Sequence, residues 1–81
     1  MKNVLQYITS MKKKLYTALK SKYQAQKDEA LATLEVYFNN PAGIGEHPQV
    51  VEEMSRQLET LTNAEDCLNT LDEFSDDWKG E

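Results

Sequence analysis

Glycine, proline and cysteine are scarce in this sequence, and each scarcity removes a class of protein. Three glycines and two prolines in 81 residues exclude collagen-like and low-complexity chains. One cysteine, Cys67, cannot build an internal disulfide framework. No stretch approaches the roughly 18 consecutive apolar residues of a membrane span, so an integral membrane protein is not expected. The opening Met1-Lys2-Asn3-Val4-Leu5-Gln6-Tyr7-Ile8 lacks the continuous apolar centre of a secretory signal, and a cytoplasmic location is expected. Strand patterning is missing too. Valine, isoleucine and threonine never alternate with polar residues over a strand-length run.

What is present favours helix. Leucine, alanine, lysine, glutamate and glutamine dominate, all good helix formers, and 40% apolar residues argue against disorder. The length predicts a single all-α domain spanning residues 1–81. Val4, Ile8, Met11, Leu15, Leu19 and Tyr23, then Ala30, Leu34 and Tyr37, recur every three or four residues. That is one helical face, predicted over Lys2–Phe38. Its average spacing of about 3.67 residues implies a nearly straight helix or slight right-handed coiling. The stripe weakens where Gln26 and Lys27 replace the next apolar residue.

A second helix is predicted over Pro48–Phe74, with Pro48 at its first position, where a missing N–H costs nothing. Val51, Met54, Leu58, Leu61, Ala64, Leu68, Leu71, Phe74 and Trp78 carry its apolar phase. Thr62-Asn63-Ala64-Glu65 has the form of a capping box. The apolar phase runs through it without a slip, which favours one continuous helix. Residues 75–81 form an acidic tail. Between the helices, Asn39–Pro48 holds Pro41, Gly43 and Gly45, residues that end helices and permit turns. A connection of this length makes the helices antiparallel neighbours, with Ile44 placed to plug the closed end.

Charge is divided sharply along the chain. Residues 1–27 carry seven lysines and no acid, while residues 28–81 hold all fourteen carboxylates against Arg56 and Lys79, leaving a net charge of −5. The structural reading folds the hairpin about Gly43, so that residue i faces roughly residue 87 − i. Lys12, Lys13, Lys14, Lys20 and Lys22 then lie beside Glu65, Asp66, Asp72, Glu73, Asp76 and Asp77. Exposed pairs of this kind contribute only about 0–1 kcal/mol each, so they set register more than stability. A second reading turns the basic, amphipathic first helix toward an anionic membrane surface. A third uses Glu52, Glu59, Asp66 and Glu73, spaced by seven, as a carboxylate stripe that imitates phosphates in a nucleic-acid-binding groove. Ordinary solvated helix faces have the same spacing.

No catalytic or cofactor constellation emerges. Gly43-Ile44-Gly45 lacks the third glycine and the preceding strand of a dinucleotide fingerprint. His47, the single histidine, has no second ligand for a metal. Asp72, Glu73, Asp76 and Asp77 lack the spaced ligands and glycine of a calcium loop. No metal, cofactor or enzymatic activity is expected. Cys67 flanks the apolar stripe as a packing residue. Tyr16, Tyr23 and Tyr37, separated by multiples of seven, read as a packing seam for an oligomer.

Leu34-Glu35-Val36-Tyr37-Phe38-Asn39-Asn40-Pro41-Ala42-Gly43-Ile44-Gly45-Glu46-His47-Pro48, with the Glu- and Leu-rich helix that follows, resembles a segment of small helical proteins encoded by large contractile-tailed bacteriophages. The resemblance spans Leu34–Phe74. It implies a phage accessory protein acting in the host cytoplasm on a host or phage protein, with no functional residues carried over. The apolar stripe exceeds what one hairpin buries, so the hairpin is expected to dimerise into a four-helix bundle through the second apolar edge of its first helix. The function expected is non-enzymatic protein–protein interaction or assembly, as a homodimer or small homo-oligomer. Inhibition of a nucleic-acid-binding enzyme by the acidic stripe is the alternative, and peripheral membrane binding the second.

Overall fold

The structure, a computed structural model, describes residues 4–40 and 49–75. Among them it contains two helices, α1 (Val4–Asn39) and α2 (Val50–Ser75), and no strand; 97% of the described residues are helical. Neither helix contains a glycine or a proline, the residues that cost most in a helix interior. Asn39 and Asn40 precede Pro41, whose ring disfavours helical backbone in the residue before it. α1 stops there. At α2 the Glu53 amide donates to the Gln49 carbonyl at 3.0 Å, and Glu52 and Glu53 set two carboxylates at the positive end of the helix dipole. At the other end the Ser75 hydroxyl donates to the Asp72 carbonyl at 2.6 Å. α2 runs unbroken through Thr62-Asn63-Ala64-Glu65, as the uninterrupted apolar phase requires. The expected insertion of Ile44, the helix-starting role of Pro48 and the acidic tail beyond Ser75 fall outside the described residues.

The helices pack side by side and antiparallel. Near the closed end the Tyr37 hydroxyl donates to the Glu53 carboxylate at 2.8 Å. Toward the open end Leu19 and Tyr23 border one groove with Cys67, Thr70, Leu71 and Phe74. Both sets of neighbours place residue i against residue 90 − i. The expected rule, 87 − i, is therefore corrected by three residues, close to one helical turn. The inner helix bounds, Asn39 and Val50, agree with this shift, since their numbers sum to more than 87.

This register sets what is buried. Ala30 is 1% exposed, Ala64 0% and Leu34 8%, and no large side chain is fully buried. Burial among the described residues is most complete where the stripe carries its smallest residues. Gln26, opposite Ala64 in this register, and Lys27 are half-buried, filling the gap in the stripe with their aliphatic stems. α1 has 36 residues against 26 in α2. At about 1.5 Å per residue it extends some 16 Å past the level of Ser75.

Candidate functional site

Among the described residues, the N-terminal half of α1 carries a run of exposed apolar side chains. Val4, Ile8, Met11, Leu15 and Leu19 share the stripe that faces α2 further along. Here they remain 73%, 42%, 44%, 59% and 43% exposed. The cause is geometric: Ser75 stands level with Leu15, so the stripe outruns the described part of α2. Lys12, Lys14, Lys20 and Lys22 lie exposed on the same stretch, and no acid precedes Asp28. The result is an apolar strip flanked by positive charge.

The shifted register changes the predicted charge pairing. Lys20 lines a shallow groove on α1 itself, with Ser21, Gln24, Ala25 and Asp28. Lys22 places Nζ 5.7 Å from the centre of the Tyr23 ring, a cation–π distance. Neither pairs, among the described residues, with Glu65, Asp66, Asp72 or Glu73. Asp76 and Asp77 lie outside the described residues. Across the seam, Lys20 and Lys22 stand level with Thr70 and Leu68, which offer no charge.

The tyrosines are half-buried at all three predicted positions, Tyr16, Tyr23 and Tyr37. Tyr23 and Tyr37 pack against α2 of their own chain, so their first use is the intramolecular seam. Glu53, the acceptor for Tyr37, was not a predicted site residue. Under the 87 − i rule Tyr37 faces Val50, and only the true register reveals the pair. This hydrogen bond, burial and the Glu53 charge together raise the Tyr37 phenol above its ordinary value of 10.0, with Arg56 opposing.

Glu52, Glu59, Asp66 and Glu73 are all exposed along one unbroken helix, so the predicted stripe exists as a surface. Glu59 and Asp66 border a shallow groove with Leu58, Thr62 and Asn63. Asp66 also reaches the rim of the seam groove, a trough of about 340 Å³ whose walls are Leu19, Tyr23, Cys67, Thr70, Leu71 and Phe74. Cys67 is a free, half-buried thiol there. Among the described residues, no three His, Cys, Asp or Glu side chains converge on a metal position. His47 lies outside them. Among the described residues, no helix is long and apolar enough to cross a membrane. Comparison with known protein families, curated proteins and solved structures finds no match for this chain.

Proposed function

We propose that this chain is a non-enzymatic interaction or assembly protein, working as a homodimer whose two hairpins form a four-helix bundle. One observation carries the reading. The apolar stripe from Val4 to Leu19 stays 42% to 73% exposed, while among the described residues only Ala30, Leu34 and Ala64 are buried apolar side chains. Exposed contiguous apolar surface on a small protein marks a contact face. The resemblance of Leu34–Phe74 to small phage proteins supports a host or phage protein as a further partner in the cytoplasm. The test is capture of partners by the full chain and by Leu15→Glu, with helicity monitored by circular dichroism. Leu15 is 59% exposed, so the variant should fold; it should also lose its partners. Identical capture by both proteins would remove this face from the mechanism.

A second reading is supported by the four exposed acids on α2. An acidic inhibitor would bind a nucleic-acid-binding enzyme through Glu52, Glu59, Asp66 and Glu73. Reversing Glu59, Asp66 and Glu73 to lysine should abolish such inhibition, and unchanged inhibition would overturn it.

A further inference from the structure

We propose that the seam groove beside Cys67 and the exposed stripe of α1 form one self-docking surface, occupied in trans by the basic half of α1 from a second copy. The inference rests on the interaction reading above and names the occupant of that face. Three observations carry it.

The first is continuity. Leu19 belongs both to the exposed stripe and to the wall of the groove. The apolar surface therefore runs without a break from the overhanging part of α1 into the trough between the helices. Phe74, on the far wall, is 50% exposed. A helix laid along this line would meet apolar side chains from both helices of its host.

The second is charge complementarity. Val4–Lys27 of α1 carries six lysines and no acid, whereas α2 carries seven carboxylates against one arginine. The charges +6 and −6 match in size. Within one chain Lys20 takes no part in this attraction among the described residues, since it lines the outer groove of α1 with Ser21, Gln24, Ala25 and Asp28. In a two-fold dimer each basic segment meets the partner's acidic helix, and both contacts form at once. An anionic membrane would satisfy the lysines but repel α2. A nucleic-acid-binding enzyme would satisfy α2 and leave the lysines and the stripe uncovered. A second copy satisfies all three.

The third is area. Val4, Ile8, Met11, Leu15 and Leu19 together expose on the order of 500 Å², within the range of patches that mark interfaces. Each copy buries one such patch and covers another region on its partner, so the total reaches the roughly 1,200–2,000 Å² of stable complexes.

Sedimentation equilibrium and thiol kinetics on the full chain test the proposal. The native chain should dimerise, more weakly as salt rises. Leu15→Glu should raise the dimer dissociation constant about tenfold or more. A triple variant with Lys12, Lys14 and Lys20 changed to glutamate should self-associate poorly, as should one with Glu59, Asp66 and Glu73 changed to lysine. Mixing the two should restore dimers, because the opposite charges then meet only between chains. Modification of Cys67 by a bulky maleimide should slow as native protein concentration rises, and stay constant in Leu15→Glu. A native chain that remains monomeric at about 100 μM overturns the self-docking. If that monomer still captures a partner through Leu15, the interaction reading survives without its homodimer; if it captures nothing, both fall. A dimer indifferent to the charge reversals, with Cys67 equally reactive at every concentration, overturns this surface and leaves dimerisation standing.

Discussion

Ala64 exposes none of its surface and Ala30 only 1%, although both are flanked on their helices by residues that keep much of theirs. The approach of the two backbones depends at these points on the absence of side-chain bulk. Ala64→Leu should force the helices apart or push the new side chain off its preferred rotamer, at a cost of about 1–3 kcal/mol. Thermal unfolding of the variant measures it. Tyr37 acts differently, through one directed bond to Glu53 at 2.8 Å. That bond raises the phenol above its ordinary 10.0, assisted by burial and the Glu53 charge and opposed by Arg56. The fold therefore favours the neutral phenol. Its contribution is complete below the unfolded value and is lost as pH climbs through the raised one. Tyr37→Phe should lower the thermal midpoint at neutral pH. The gap between variant and native protein should close above about pH 10, where the native phenol itself ionises.

At the scale of the element, the presence of two helices packed against each other was readable in the sequence. Glycine and proline are confined so strictly to the turn and the C-terminus that little else was open to the chain. Continuity of α2 through Thr62 followed from apolar phase, and one substitution tests it. In a continuous helix Thr62→Ala should stabilise by about 0.5 kcal/mol, since alanine is the better helix former. A helix start at Thr62 would instead lose a cap worth about 1 kcal/mol. Chemical denaturation reads the sign. Register was not legible. Gly43 and Gly45 are equally plausible pivots in a list of residues, and moving the fold point by a residue or two shifts every cross-helix neighbour by twice as much. That is why Glu53 went unrecognised as the partner of Tyr37, and why Lys20 and Lys22 were placed beside Glu65 and Asp66, which they do not meet among the described residues. The apolar stripe of α1 was legible in full, whereas the portion left uncovered depends on the unequal helix lengths and this register.

At the scale of the molecule the chain is a rod, 64 × 21 × 17 Å, with a radius of gyration of 18.5 Å. A compact chain of this length would have about 12 Å. Its 6506 Å² of accessible surface exceeds the roughly 5,000 Å² of a compact monomer of the same mass. The proposed association would add stability that one hairpin lacks, so on that reading the thermal midpoint should rise with protein concentration across the micromolar range. A midpoint independent of concentration would mean that the hairpin stands alone. The close approach near Ala30 and Ala64 also gives the rod an internal order of opening. Only the middle of the seam excludes water well, so separation starts at the open end and travels inward like a zip. Amide hydrogen exchange should be slowest around Ala30–Leu34 and Leu61–Ala64, and fastest toward Val4. The protein's slowest clock would then be set by two methyl groups at the centre of the seam.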